Sequence, residues 1–240
     1  MSTQLMKDRA EGPNAVGEEA TRGGTSSQRS KADILVAAAN CFEENGFAAT
    51  SIDDVASALN ATKGMVYHHF RSKTDLFFAV YRRAMEINFN TTRPFAEGSG
   101  SALERLTAMA MAHAMAMMAY QPFQRVLAQG VAMHQTGSTT AAQRETLVEL
   151  INIRDGYEAM FRGVIEDLDA EKSLNIPSPS VACKSFLAVL NGTVFWYSPR
   201  KQDLMGEQEA LARDLVKFAL RGLGVDVVDG QLETWRQTNE

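Results

Sequence analysis

From about residue 29 to residue 224, apolar residues recur at spacings of three and four, and stretches that alternate apolar with polar are scarce. A 3.6-residue helix turns that spacing into one apolar face, whereas a half-buried strand needs period two. The chain is therefore expected to be all-α. Hydrophobic residues make up 45% of its 240 positions, enough for a core in one domain or two small ones.

Local stops and caps divide the run. Residues 1–28 are rich in Gly, Ser, Thr and charge and lack aromatics, and are predicted to be a disordered tail. Their cations Lys7, Arg9 and Arg22 are nearly cancelled by Asp8, Glu11, Glu18 and Glu19, which weighs against a nucleic-acid arm. A first helix is predicted over 30–45, with Ile34, Leu35, Ala38 and Phe42 on one face and Gly46 as its stop. A second covers 51–58, capped by Thr50 or Ser51, with Ile52, Val55, Ala56 and Leu59 inward. A third covers 62–68. A fourth starts at Ser72, which forms a capping box with Asp75, and runs to about 91.

"RPFAEGSGS" then breaks the pattern and is the best boundary. Beyond it, helices are predicted at 101–119, 122–134, 139–169, 179–197 and 207–222. Ser178 and Pro179 start the fourth of these and Pro199 ends it. The expected organisation is a three-helix head in 29–83, a larger helical body in 84–224 and a C-terminal tail in 225–240.

Cys41 and Cys183 are far apart and form no CxxC, which implies a reduced protein without a zinc site. The N-terminus has no signal-like apolar run, and nothing approaches the roughly 20 apolar residues of a membrane span. A cytoplasmic protein with no membrane partner is expected. Formal net charge is -5, and the acidic excess lies from residue 84 onward. The head is near neutral, with cations concentrated in 63–73.

That cationic stretch, "ATKGMVYHHFRSK", carries the chemistry. Only "LNA" separates the second helix from the third, so the turn needs a residue that tolerates positive φ, and Asn60 is the usual choice after glycine. Two short helices so joined make a helix-turn-helix, whose second helix enters the DNA major groove. Val66 and Phe70 face inward, leaving Thr62, Lys63, Met65, Tyr67 and His68 outside or at the margin. Gly64 allows close approach to a sugar–phosphate wall. Thr50, Ser51, Tyr67 and Lys73 are candidate phosphate contacts. His69 is either a packing residue or a further phosphate contact. His68 and His69 point about 100° apart on a helix and cannot share a metal. No metal and no cofactor are expected.

The segment "ILVAAANCFEENGFAATSIDDVASALNATKGMVYHHFRSKTDLFFAVY" resembles the DNA-binding domain of the TetR family of bacterial transcriptional regulators. The likeness rests on "F..NGF..TS..D.A" and "A..L...KG..Y.HF.SK..L". Where the family usually has Gly then Val before a Ser, this chain has Asn60, Ala61 and Thr62. The resemblance implies a homodimer on a palindromic double-stranded operator, released by a small effector bound in the body.

In the body, "LTAMAMAHAMAMMAYQPF" is either ordinary core or the wall of an apolar effector pocket. The candidate lining is Met109, His113, Met117, Phe123, Met133, Phe161 and Trp196. His113 is either a ligand-orienting group or a satisfied core histidine. The family's last two helices usually make the dimer, which implies Leu187, Leu190, Val194, Leu211, Leu215 and Phe218, in stripes that also include Val181 and Gly222. "NGTVFWYSP" is similar to a branch that senses acyl-CoA thioesters, with departures at Gly192 and Ser198. The expected function is a ligand-responsive repressor. Its rivals are an accessory protein whose head binds protein, and a helical enzyme using His113 as base. For the enzyme, no nucleophile, orienting carboxylate or phosphate-binding glycine loop is in evidence.

Overall fold

The computed structural model of the chain describes residues 26–136, 141–198, 205–227 and 229–232. Ten helices are described: α1 (Ser26–Ala49), α2 (Ile52–Ala58), α3 (Lys63–His69), α4 (Lys73–Ala96), α5 (Ala102–Ala119), α6 (Gln121–Thr136), α7 (Ala141–Lys172), α8 (Pro179–Asn191), α9 (Thr193–Trp196) and α10 (Met205–Gly222). A single 3-10 turn follows at Asp229–Leu232. The all-α expectation holds. The N-terminal tail through residue 25, Pro199 and residues 233–240 lie outside the described residues.

Local chemistry sets the ends. Gly46 (φ 75°, ψ 165°) interrupts α1 where a stop was expected. Ser51 and Asp54 close a reciprocal capping box at α2, with Ser51 N donating to Asp54 Oδ2 (2.7 Å) and Asp54 N to Ser51 Oγ (3.2 Å). Ser101 and Glu104 do the same for α5. At α4 the Ser72 hydroxyl accepts from Asp75 N (3.0 Å). Beyond shifts of a few residues, such as α1 beginning at Ser26 inside the expected tail, two boundaries differ from expectation. First, α4 continues through Pro94 to Ala96, because buried Thr92 and Phe95 anchor its last turn while Asn90, whose carbonyl loses the missing N–H, faces solvent. Second, the helix expected over 179–197 is two, with Gly192 between α8 and α9.

The head closes on Ile34, Phe42, Val55, Val66, Leu76 and Phe77, all fully buried. Phe77 meets Phe42 and Phe47 edge-on, with centroids 5.3 and 5.0 Å away. Two helices join head to body. From α6, Gln129 Nε2 donates to Phe42 O (3.0 Å) and the Arg125 guanidinium to Glu43 Oε1 (2.6 Å), both on α1. From α4, Arg82 takes Glu149 of α7 in a two-pronged ion pair (3.3 and 2.9 Å). The helices α4 and α6 approach closely. A Cβ on Gly130 would stand 2.6 Å from the Tyr81 ring, so glycine is what lets the ring lie on the α6 backbone.

The apolar stripe of α8 was expected at a dimer interface. Instead Leu187, Leu190 and Val194 are buried within the protomer, where α8 packs on α5, α7 and α10. Leu211 and Leu215 are half-buried against the core. The large apolar side chains left exposed here are Val181, Phe195, Trp196 and Phe218. Spacing of three and four marks an apolar face but not what covers it.

Gly130→Ala is expected to lower stability by about 1–3 kcal/mol through overpacking against Tyr81. Gly163→Ala, where a Cβ meets nothing within 4 Å, should be neutral or stabilising by up to about 1 kcal/mol. Thermal unfolding followed by far-UV circular dichroism measures both.

Candidate nucleic-acid interface and ligand cavity

The turn between α2 and α3 is built on Asn60, whose φ is 52°. Ala61 N donates to Ala56 O (2.9 Å) and Asn60 N to Ser57 O (3.0 Å). This pair of bonds is a Schellman closure, which needs one left-handed residue just past the helix. The turn sends α3 off across α2, with Val66 buried beneath it and Phe70 behind it. Thr62, Lys63, Gly64, Tyr67 and His68 are left exposed, and Met65 and His69 are half-buried. Gly64 has no internal reason to be glycine. Its φ is ordinary, and a Cβ would meet only Thr62 Oγ1 at 3.8 Å. Lys63 pairs with Asp53 (2.7 Å) and lies 5.9 Å from the Tyr67 ring centroid. Both partners of that pair are exposed, so it yields readily to a competing anion.

Two expected phosphate contacts are corrected. The Lys73 ammonium donates to Phe47 O (2.7 Å), Ala48 O (3.1 Å) and Thr50 O (2.8 Å), and sits 4.6 Å from the Phe47 ring centroid. Its three hydrogens are thus spent on carbonyls around the end of α1. Thr50 is buried, and its hydroxyl bonds Cys41 O (2.9 Å) and Gly46 O (2.8 Å). Ser51 remains exposed at the start of α2. Among the described residues no group of three or more His, Cys, Asp or Glu is placed to hold a metal, and the His68 and His69 rings stand edge to face.

In the body a cavity of ≈ 420 Å³ opens between α4, α5, α6, α7, α8 and α9. Of the residues expected there, His113 and Met117 line it. Met109, Phe123 and Phe161 instead fill the surrounding core, and Trp196 faces outward. The side chain of Met133 lies outside the described residues. Two residues expected at the dimer interface, Leu187 and Val194, form part of the wall.

Apart from His113, the polar lining was not anticipated from the sequence. Buried Asn88 of α4 and Gln124 of α6 exchange amide bonds, Asn88 Nδ2 to Gln124 Oε1 (3.2 Å) and Gln124 Nε2 to Asn88 Oδ1 (2.8 Å). Asn88 interrupts an apolar stripe of α4, and a polar residue there demands a buried partner. That was the available signal. His113 bonds Tyr157 Oη through Nδ1 (2.8 Å) and Asn191 Oδ1 through Nε2 (2.9 Å). Burial pushes His113 down to about 4 against the opposing pull of its Asn191 bond, so the ring is neutral at neutral pH. Burial likewise pushes the Tyr157 phenol upward. Arg154, Glu158 and Lys184 complete the charged part of the wall, with Lys184 paired to Glu158 (3.1 Å).

Known proteins share this fold. The family model described as "Bacterial regulatory proteins, tetR family" matches residues 34–80, and "Tetracyclin repressor-like, C-terminal domain" matches 99–223. The chain is 28% identical over 136 residues to the HTH-type transcriptional repressor KstR2 of Mycobacterium tuberculosis, spanning 53% of this chain and 68% of that one. The TetR-family regulator PfmR of Thermus thermophilus superposes with a TM-score of 0.66 at 28% identity, over 79% of this chain and 98% of PfmR. AibR, solved with isovaleryl coenzyme A and operator DNA, shares the fold at 22% identity with a TM-score of 0.61, over 79% of this chain and 97% of AibR.

Gly64→Ala is expected to leave thermal stability unchanged or slightly higher while weakening binding to the DNA that flanks the gene. Lys73→Ala should do the reverse. It should lower stability by roughly 1–3 kcal/mol through the lost charged hydrogen bonds, and leave the salt slope of DNA binding intact. Thermal unfolding beside a salt-dependent binding isotherm separates the two.

Proposed function

The chain belongs to the tetR family of bacterial regulatory proteins, and on that premise we propose a homodimeric repressor that leaves a palindromic operator when a small apolar effector fills the cavity. The observation that carries this reading is the continuity of α4. One helix begins beside α3, at the Ser72 cap and the Lys73 clamp, and reaches the cavity at Met85 and Asn88.

The exposed face of α3 suits a major groove. Lys63 and Tyr67 suit the backbone, Thr62 and Met65 the base edges, and Gly64 the closest approach. Exposed Val181, Phe195, Trp196 and Phe218 on α8, α9 and α10 support a two-fold interface there. Two-fold symmetry presents two α3 helices to successive grooves. An effector that prefers a shifted α4 then lowers operator affinity by its own difference in affinity between the two states. KstR2 is named as a repressor, and AibR was captured with an acyl thioester of coenzyme A and DNA. The first supports a repressor, and the second an acyl-thioester type of effector. An enzyme using His113 as base is disfavoured, since both ring nitrogens are engaged and the ring is a weak base.

A mobility shift against the DNA flanking the gene, run at two salt concentrations, tests the reading. A specific retarded band that weakens with salt is expected, and Tyr67→Phe should weaken it about tenfold if the hydroxyl holds a phosphate. An equal shift of unrelated DNA, or none at low salt, contradicts the proposal.

A further inference from the structure

The Tyr157–His113–Asn191 chain has a direction. It joins α7, α5 and the end of α8, and it runs from fully buried side chains to an exposed amide on the cavity wall. The Asn191 oxygen faces His113, which requires a hydrogen on Nε2. A neutral ring carries only one N–H, so Nδ1 is bare and accepts from the Tyr157 hydroxyl. Burial keeps that phenol protonated and the ring uncharged. Both ring nitrogens are spent within the protein, so the histidine itself has nothing left to offer a ligand. The Asn191 oxygen already accepts from that ring and is turned toward it. What remains is its N–H2, which among the described residues meets no acceptor.

We infer that Asn191 is the residue by which the cavity recognises an acceptor oxygen on its effector, such as a ketone, ester, thioester or carboxylate, and that His113 and Tyr157 are positioning residues that hold its amide in the donating sense. The inference rests on the cavity being the effector site proposed above. The charged part of the wall is already paired, Lys184 with Glu158 (3.1 Å) and Arg154 with Asp155 (3.4 Å). Met85, Met117 and Leu187 offer an apolar molecule no polar partner, and the Asn88–Gln124 amides largely satisfy each other. Discrimination falls to the mouth, where a matched neutral bond is worth about threefold to tenfold in affinity.

The test uses 2-octanone and octane, which differ by one acceptor oxygen, with binding read from the NMR shifts of the Met85 and Met117 methyl groups. The tautomer of His113 is read separately from its ring nitrogens by heteronuclear NMR. Expected are a hydrogen on Nε2, tighter binding of 2-octanone by about threefold to tenfold, and loss of that preference in Asn191→Leu with octane binding retained. Tyr157→Phe should release the tautomer and reduce the preference without abolishing octane binding. A hydrogen on Nδ1 in the native protein, equal affinity for the two probes, or a preference that survives Asn191→Leu overturns this inference and leaves the effector site standing. If neither probe moves Met85 or Met117, the effector-site reading fails and this one with it.

Discussion

Three hydrogens of one ammonium group tie the start of α4 to the end of α1. Lys73 stands in the first turn of α4 and spends itself on the carbonyls of Phe47, Ala48 and Thr50, where α1 ends and α2 is about to begin. Carbonyls at a helix end lack intrahelical donors, and a cation there also meets the negative end of the helix dipole. The buried Thr50 hydroxyl braces the same corner from inside. Whatever α4 does, the start of α2 feels it through this joint, and α3 follows because the Asn60 turn fixes it on α2.

The body holds α4 from the other side. The Asn88–Gln124 amide exchange and the ring of Tyr81 on Gly130 lock α4 to α6, and α6 is itself bonded to α1 through Arg125 and Gln129. The reading surface and the cavity are therefore two ends of one packed assembly. Buried reciprocal amides are costly to half-break, which favours discrete arrangements of α4 and α6 over gradual bending. Two such arrangements are what a ligand needs if it is to switch operator affinity rather than merely bind.

Short-range chemistry was legible in the sequence. Asn60 announced a left-handed turn, Ser51 and Ser72 announced caps, and Val66 with Phe70 announced the inner side of α3. Each of these depends on residues a few positions away. Lys73 was misread because its acceptors lie 23 to 26 residues earlier in the chain. In isolation, a lysine beside a serine cap looks like a phosphate ligand. Leu187 and Val194 were misplaced for a related reason. A stripe reports burial, but α8 could bury it against α5 and α7 or against a second chain, and periodicity does not distinguish the two. The methionine run of α5 divided likewise, with Met117 on the cavity and Met109 in solid core. Asn191 stood out only as the first residue of "NGTVFWYSP", since its partner is a histidine 78 residues away.

Amide hydrogen exchange of the full chain, with and without the duplex that flanks its gene, tests most directly whether α3 reads DNA and α4 carries the message. Slower exchange is predicted across 51–69, the start of α2 through α3, and along α4 as far as the cavity wall at 85–88. Protection confined to α8 and α10, with 51–69 unchanged, would contradict the account.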